Sequence, residues 1–314
     1  MSSKIDQERD GVTLGHQFTP TMHRQVYPAI KATNRNLSAA GKTVLITGAT
    51  RGIGKAIAVA WAQAGASSIV ITGRAENLLK EVSDELKKIS PKTKILALKS
   101  EATSEEDAKK VWAKVQEVVG IIDVLICNAG IFSEGRNGLP VTGLIEPSLW
   151  WSDLETNVRG PYLQIYHFLQ QKLVQNQKPK GTVIILSSAA ASFTMPGMSS
   201  YALSKLAGAR QAEFLHVEHE GVRAFSLHPG IVPTTISPEL FQKQAVDPPE
   251  MAGGLSLYLA TPKAEFLRGS YITVNWDVEE MERNAEEIKE KRLLKTAFLN
   301  GQLRPEGHHF EGKI

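Results

Sequence analysis

The sequence has only one cysteine, Cys127, among its 314 residues. A single cysteine excludes an intrachain disulfide, so the chain is not a disulfide-stabilised secreted scaffold. The sequence also has no apolar run of about 18 residues, the length that a membrane-spanning helix needs. Its first 40 residues lack the apolar core of a signal peptide. These absences predict a cytoplasmic protein without a membrane partner.

A strong excess of charge of one sign is also missing. The chain carries 36 Lys and Arg residues against 33 Asp and Glu residues, which leaves a net charge of +3. Nucleic-acid-binding domains concentrate far more positive charge, so we expect a small-molecule partner and no nucleic acid. We also predict no metal site. Hydrophobic residues make up 42% of the chain, enough to build one large core.

The two ends of the chain differ from its middle. Residues 1–40 show no clear periodicity and are predicted to form an irregular N-terminal arm. Residues 41–276 are predicted to form the main domain, and residues 277–314 an amphipathic helix followed by a loose tail. The helix prediction, from Asp277 to about Leu299, depends on apolar residues spaced three or four apart: Val278, Met281, Ala285 and Ile288.

Short β-branched runs alternate with helical segments through the main domain. The runs are 43–47, 68–72, 94–98, 122–127, 182–186, 222–227 and 271–274. Most are apolar at consecutive positions, as expected of strands that are covered on both faces. The alternation predicts an α/β fold: a single domain with a Rossmann-type, doubly wound parallel sheet of about seven strands. Ligands of such sheets bind beyond the carboxyl ends of the strands.

A glycine-rich loop joins the first predicted strand to the following helix. Glycines allow a tight turn and let the backbone approach a pyrophosphate, whose charge meets the free N–H groups at the start of the helix. The loop therefore predicts a bound dinucleotide. The predicted contacts in this loop, which reads TGATRGIG, are Gly48, Thr50, Arg51, Gly52, Ile53 and Gly54.

The residue after the second predicted strand bears on the choice of cofactor. Dinucleotide folds usually place an acidic residue about 20 positions past the glycines, where it holds a ribose hydroxyl. Arg74 stands there, 20 positions after Gly54. A guanidinium is well shaped to bind a 2′-phosphate, and Arg51 could supply a second positive charge. We therefore predict NADPH/NADP+ rather than NADH as the cofactor.

Tyr201 and Lys205 are spaced four residues apart in the segment YALSK. On a helix this spacing brings the Lys205 ammonium close to the Tyr201 phenol. A neighbouring positive charge favours the phenolate, so we expect Lys205 to lower the pKa of Tyr201 from its usual value near about 10. Tyr201 would then serve as a general acid or base near neutral pH. The preceding strand delivers Ser187 and Ser188 at its carboxyl end.

Taken together, these motifs resemble the short-chain dehydrogenase/reductase (SDR) family over about residues 40–276. The matching segments stand in the family's order: TGATRGIG at 47–54, CNAG at 127–130, the asparagine of ETNVRG at 155–160, a serine 13 residues before the tyrosine of YALSK at 201–205, and HPG at 228–230. The terminal segments FTPTMHRQVYPAI and YITVNWDVEEME further resemble fungal family members from secondary-metabolite pathways.

The resemblance implies a catalytic tetrad and further cofactor contacts. In the implied ketone reduction, Ser188 hydrogen-bonds the carbonyl oxygen, and Tyr201 donates a proton while the nicotinamide delivers hydride. Lys205 holds the nicotinamide ribose, and Asn157 positions a water that links Lys205 to solvent. Beyond the glycine loop and Arg74, the implied cofactor contacts are Glu101, Asn128, Ala129, Gly130, Tyr201, Lys205, Pro229, Gly230, Ile231, Val232 and Thr234. Glu101 stands where family members often place an aspartate that contacts adenine.

Pro161 follows Asn157 by four residues and has no N–H group. In a helix it would leave the carbonyl of Asn157 without its usual partner. That carbonyl could accept a hydrogen bond from the relay water, or the proline could simply kink the helix for packing.

The predicted function is that of an NADPH-dependent carbonyl reductase for a mostly apolar ketone of natural-product type, polycyclic ones included. Apolar and aromatic residues within 131–150 and 231–252, with Met195 and Met198, would form the substrate walls, although core packing explains them equally well. Two alternatives stay open: an SDR-fold protein that catalyses a non-redox isomerisation or cyclisation, and a non-catalytic NADP(H)-binding regulatory module. The resemblance also implies a homodimer or homotetramer.

Overall fold

The computed structural model describes residues 13, 15–234 and 239–297, and its centre is a parallel sheet. The strands are β1 (Thr43–Ile46), β2 (Ser68–Gly73), β3 (Lys94–Lys99), β4 (Val124–Cys127), β5 (Gly181–Leu186), β6 (Val222–His228) and β7 (Tyr271–Thr273). Their order in the sheet is β3-β2-β1-β4-β5-β6-β7, and every neighbouring pair is parallel. The predicted seven-stranded Rossmann-type sheet is therefore confirmed. The chain reverses its direction of winding between β1 and β4, which is where such sheets open a ligand-binding crevice.

Helices connect the strands and cover both faces of the sheet. They are α1 (Gly52–Gln63), α2 (Glu76–Ile89), α3 (Glu105–Val118), α4 (Ser133–Arg136), α5 (Pro147–Leu154), α6 (Gly160–Leu173), α7 (Ser199–Glu218), α8 (Glu250–Leu259), α9 (Val278–Arg283) and α10 (Ala285–Glu290). A π-helical turn, Glu155–Arg159, joins α5 to α6. No helix in the described part of the chain is both long enough and apolar enough to cross a membrane.

Two hydrophobic cores lie on opposite faces of the sheet, and β1 contributes to both. Val44 and Ile46 pack into the core that contains α1 and α8, whereas Leu45 packs into the core that contains α3 and α6. Since successive side chains of a strand point to opposite faces, a strand that is covered on both sides is apolar at every position. This arrangement explains the uninterrupted apolar runs in the sequence.

The N-terminal arm packs closely against the segment that follows β7. The Tyr27 hydroxyl donates to the Trp276 carbonyl at 2.9 Å, and the His23 N–H donates to the Asn275 carbonyl at 2.8 Å. Tyr27 is buried. The arm is irregular in its described part, apart from two short 3-10 turns at Pro28–Ile30 and Arg35–Leu37, yet it completes the main core.

The C-terminal segment differs from the single helix that its periodicity predicts. Two short helices, α9 and α10, meet at Asn284, whose side-chain amide donates to the Glu280 carbonyl at 2.8 Å. Asparagine competes in this way for the backbone groups of a helix, so the helix ends there. The chain then returns to the sheet, where the Leu294 carbonyl accepts a hydrogen bond from the Tyr271 N–H of β7 at 2.9 Å. Residues 298–314 of the predicted tail lie outside the described residues.

Candidate active site

A cleft of about 540 Å³ opens at the carboxyl ends of the central strands. It is lined by segments that are far apart in the sequence: the glycine loop, the ends of β2 to β6 and the first turns of α7. Every residue predicted to contact the cofactor lines this cleft, and so does Ser188: Gly48, Thr50, Arg51, Gly52, Ile53, Gly54, Arg74, Glu101, Asn128, Ala129, Gly130, Tyr201, Lys205, Pro229, Gly230, Ile231, Val232 and Thr234. The fourth predicted catalytic residue, Asn157, lies behind the wall.

The glycine loop has the close packing that a pyrophosphate cradle needs. A Cβ atom on Gly54 would lie 2.4 Å from the Gly48 carbonyl oxygen and 2.4 Å from the Asn128 amide nitrogen, which no side chain tolerates. Gly48 has φ +65°, a left-handed conformation that favours glycine. The Asn128 amide also donates to the Thr47 and Gly48 carbonyls, at 2.9 and 3.0 Å, so the CNAG segment braces the loop.

The start of α1 faces the same part of the cleft. Arg51 precedes the helix, and its side chain makes no capping hydrogen bond to the first N–H groups. Those N–H groups and the positive end of the helix dipole are suited to a bound phosphate. The residues present therefore fit a nicotinamide dinucleotide at this end of the cleft.

Arg74 and Glu101 face each other at the far end of the cleft. The Arg74 guanidinium lies 3.7 Å from the Glu101 carboxylate, and both side chains are exposed. Glu101 also accepts a hydrogen bond from the Ala102 N–H at 2.9 Å. A 2′-phosphate bound by Arg74 would compete with this carboxylate for the same guanidinium.

Tyr201, Ser188 and Lys205 meet at the opposite end of the cleft. Ser188 forms a side-chain hydrogen bond to Tyr201, and the Lys205 ammonium lies 5.5 Å from the centre of the Tyr201 ring. Lys205 is buried and donates to the Leu186 carbonyl at 3.0 Å. The Ser187 hydroxyl in turn donates to the Lys205 carbonyl at 3.1 Å, which fixes α7 against the end of β5.

The expected lowering of the pKa of Tyr201 is not observed. Burial raises the pKa of Tyr201 to about 12, although the hydrogen bond from Ser188 opposes this rise. Burial also lowers the pKa of Lys205 to about 8, which still leaves its ammonium mostly protonated at neutral pH. Tyr201 is therefore a protonated phenol at neutral pH, the form that can donate a proton.

Asn157 is buried and connects two other parts of the site. Its side-chain oxygen accepts from the Ile131 N–H at 2.9 Å, and its amide donates to the Ile131 carbonyl and to the Ser204 hydroxyl, each at 2.9 Å. Ser204 donates to the Tyr201 carbonyl at 2.7 Å. The Asn157 side chain thus positions the end of β4 and the turn of α7 that carries Tyr201, and both of its amide N–H groups are used in doing so.

The backbone at Asn157 is π-helical rather than α-helical. Within the turn Glu155–Arg159, the Gly160 N–H donates to the Glu155 carbonyl, five residues earlier. Pro161 has no N–H to offer the Asn157 carbonyl. Such π turns are frequent at functional sites, and the relay through the main-chain carbonyl of Asn157 stays a prediction.

Two buried carboxylates, which the motifs do not reveal, hold the start of α7. Glu134 accepts from the Ser199 hydroxyl at 2.8 Å and from the N–H groups of Ser200 and Tyr201 at 3.1 and 3.3 Å. Asp153 accepts from the Ser200 hydroxyl at 2.8 Å and from the Ser133 N–H at 3.0 Å. They stabilise the helix start that carries Tyr201. Their partners on α7 are 47 or more residues away, so no local signal marks them.

Apolar side chains enclose the space next to Tyr201. The Phe132 ring stacks on the Tyr201 ring with 4.3 Å between centres. The surrounding cluster contains Ala190, Phe193, Met195, Met198, Leu139 and Phe241. We call this part of the cleft the substrate half, and we call the part from the glycine loop to Glu101 the cofactor half. Residues 235–238 of the predicted substrate wall lie outside the described residues.

Asp247, another residue that the motifs do not mark, joins the N-terminal arm to the cleft. Its buried carboxylate accepts from the Arg24 guanidinium at 2.6 Å, the Ile231 N–H at 2.7 Å and the Asn275 amide at 3.1 Å. The Gly230–Ile231 backbone, predicted to flank the nicotinamide, is thereby held by residues from both ends of the chain.

The comparison with known protein families agrees with this architecture. A family model described as short chain dehydrogenase matches residues 42–245. The chain belongs to the short-chain dehydrogenase family. SDR proteins are oxidoreductases that use nicotinamide cofactors, and the cradle at the glycine loop suits this class of cofactor.

Individual SDR relatives match nearly the whole chain. The short chain dehydrogenase citE of Monascus ruber is 34% identical over 295 residues, which cover 91% of this chain and 98% of that protein. The short chain dehydrogenase pigC of the same species is 33% identical over 298 residues, covering 90% and 94%. A crystal structure of a short-chain type dehydrogenase/reductase from Mycobacterium marinum is 28% identical with a TM-score of 0.66, covering 76% of this chain and 95% of that one. The resemblance to the family and to its fungal members is confirmed.

Proposed function

We propose that this SDR protein is an NADPH-dependent carbonyl reductase for a mostly apolar ketone of natural-product type. The observation that carries the proposal is the meeting of Tyr201, Ser188 and Lys205 at the end of the cleft, next to a wall of apolar side chains. In the reductive direction, a protonated Tyr201 would supply the proton that the carbonyl oxygen needs.

Each residue has a distinct part in the proposed reaction. The bound cofactor supplies hydride. The Ser188 hydroxyl donates a hydrogen bond to the carbonyl oxygen of the substrate, and Tyr201 gives its proton to the same oxygen. Lys205, buried beside Tyr201, holds the nicotinamide ribose. The main-chain carbonyl of Asn157 holds a water that returns a proton from solvent.

Support for NADPH over NADH comes from the positive side chains of Arg51 and Arg74 and from the absence of a carboxylate at the end of β2. Glu101 opposes this preference, because its carboxylate already pairs with Arg74 at 3.7 Å. A doubly charged phosphate attracts a guanidinium more strongly than a single carboxylate does, so we expect Arg74 to turn towards the cofactor.

A carbonyl panel tests the proposed function. NADPH consumption is followed by its absorbance, and Tyr201→Phe should lower the turnover number by roughly 100- to 10,000-fold, the contribution of a general acid. The control Tyr258→Phe removes a hydroxyl from α8, away from the cleft, and should leave turnover unchanged. Product formed without NADPH oxidation would instead indicate an isomerase or cyclase. Cofactor binding without any product would indicate a regulatory module.

We also propose that the active form is a homodimer in the cytoplasm. Helices α6 and α7 expose a set of large apolar side chains, which a second copy would cover: Tyr162, Tyr166, Leu203, Phe214 and Val217. In the SDR family a tetramer interface would form along the outer edge of β7. In this chain the Leu294 carbonyl already accepts a hydrogen bond from the Tyr271 N–H at that edge. Light scattering should report twice the chain mass, and Phe214→Glu should shift it towards the monomer. A tetramer in solution would contradict the role given to Leu294.

A further inference from the structure

One charged side chain, Arg136, lines the cleft beside the apolar substrate half and is exposed to solvent. It ends the short helix α4, which begins directly after Phe132, the residue whose ring stacks on Tyr201. The apolar residues that line this half of the cleft are Phe132, Ala190, Phe193, Met198 and Phe241. In the cofactor half, by contrast, positive charge has an evident use in binding phosphates. Arg136 has no such use.

Arg136 has no ion pair or hydrogen bond within residues 15–234 and 239–297. The two nearest carboxylates along the packed segments are occupied elsewhere. Glu134 bonds to Ser199, Ser200 and Tyr201 at the start of α7. Asp153 bonds to Ser133 and Ser200. Neither contacts the guanidinium, which keeps its planar set of N–H donors for a ligand.

The backbone beneath Arg136 is held firmly in place. Asp153 fixes the Ser133 N–H at 3.0 Å, and the Asn137 amide donates to the Ser133 carbonyl at 2.7 Å. Glu134 ties the same turn to the N–H of Tyr201 itself. The buried carboxylates thus tie the turn that carries Arg136 to the start of the helix that carries Tyr201. A binding group and a catalytic group held on connected segments can position a substrate between them.

We propose that Arg136 binds a carboxylate of the substrate, so that the ketone is an apolar molecule with a negatively charged end. A guanidinium and a carboxylate form two parallel hydrogen bonds, which fix orientation as well as affinity. The apolar walls accept the body of the molecule, and Ser188 and Tyr201 accept its carbonyl. This inference rests on the proposed reductase function, since it assigns the substrate end of the same site.

A binding experiment tests the proposal separately from turnover. The NADP+-saturated enzyme, in which the phosphate-binding arginines are occupied, is titrated by calorimetry with 2-naphthoate and with its neutral isostere 2-naphthamide. We expect naphthoate to bind about tenfold more tightly, and Arg136→Gln to abolish this difference while leaving naphthamide unaffected. Arg136→Lys should retain part of it. The control Arg35→Gln, an exposed arginine outside the cleft, should change neither affinity.

Salt and turnover give two further readouts. Raising KCl from about 0.05 to 0.5 M should weaken naphthoate binding and leave naphthamide binding unchanged. Among carbonyl substrates, 6-acetyl-2-naphthoate should have a lower KM than its methyl ester, and Arg136→Gln should raise only the KM of the acid. Equal affinity for naphthoate and naphthamide, or no binding of either, would overturn the carboxylate site. Failure of every carbonyl to oxidise NADPH would instead count against the reductase function.

Discussion

The cofactor half and the substrate half of the cleft are built in different ways. The cofactor half consists of unbroken segments at strand ends, in which glycines and main-chain groups do most of the work. The substrate half is made of side chains from four separate segments, among them Phe132, Met198 and Phe241, that meet only in the folded chain. A site that uses main-chain groups needs particular residues at fixed spacing, so short motifs reveal it. A site that uses side chains from separate segments can change its residues with the ligand, so no motif marks it.

We expect the largest effect from replacing Asp247, because its carboxylate holds the Ile231 backbone, which lies between the two halves of the cleft. Asp247→Ala would leave the half-buried Arg24 guanidinium and Ile231 N–H without their buried carboxylate partner. Loss of one member of a buried ion pair costs about 3–5 kcal/mol, so the free energy of unfolding in urea should fall by that amount. The control Glu286→Ala removes an exposed pair with Lys289 and should have no measurable effect. A loss below about 1 kcal/mol would show that Asp247 is not a structural link.

Gly54→Ala should damage the cofactor half alone. The new methyl group would lie 2.4 Å from the Gly48 carbonyl and the Asn128 amide, so the loop must shift. We expect NADPH affinity to fall roughly 10- to 100-fold by fluorescence titration, the cost of overpacking a close contact. Phe241→Ala, which removes a ring from the substrate half, should leave NADPH affinity unchanged. Equal losses in both variants would mean that the two halves are not independent.

Arg74→Asp should reverse the preference between NADPH and NADH. The substitution removes a guanidinium and places a carboxylate where a 2′-phosphate would lie, so the ratio of the two kcat/KM values should change about tenfold or more. Glu101→Gln should have a smaller, opposite effect, since it removes the carboxylate 3.7 Å from Arg74. Lys87→Asp, on the exposed face of α2, is the matched control. An unchanged preference in Arg74→Asp would contradict the NADPH assignment.

The smallest expected effect is spectroscopic and concerns the protonation of one side chain, Tyr201. A group whose pKa is raised to about 12 stays protonated below that pH and ionises only above it. The tyrosinate absorbance of the cofactor-free enzyme, after subtraction of the Tyr201→Phe spectrum, should therefore stay near zero up to about pH 10. A midpoint at or below about pH 9 would show instead that the Lys205 charge outweighs burial, as the helical spacing alone suggests.

Most of the fold and the whole cofactor half follow from the sequence. The strands could be predicted because burial on both faces makes most positions of a central strand apolar, as in β1 and β4. The glycine loop and YALSK are short segments whose spacing carries the chemistry. The C-terminal segment was harder, because the apolar spacing continues through Asn284 while its side chain ends the helix locally.

The remaining parts of the site depend on contacts between distant residues. Glu134 and Asp247 have partners 65 and 16 or more residues away, and nothing in their neighbouring sequence distinguishes them from solvent-exposed carboxylates. The pKa of Tyr201 could not be predicted from the sequence either. Helical spacing gives the position of Lys205 relative to Tyr201, but it does not give the extent to which the two side chains are buried. Burial is a property of the whole fold.

The contacts of the N-terminal arm have a consequence for the order of folding during synthesis. Residues His16, Arg24 and Tyr27 bond to partners that lie 260, 223 and 249 positions further along the chain. At about 5–20 residues per second, the arm leaves the ribosome roughly 10 to 50 seconds before those partners exist. The sheet can begin to form in that time, but Ile231 receives its full support only when the last strand and its flanking residues arrive. The arm therefore completes its contacts only after the later segments that it binds have been made.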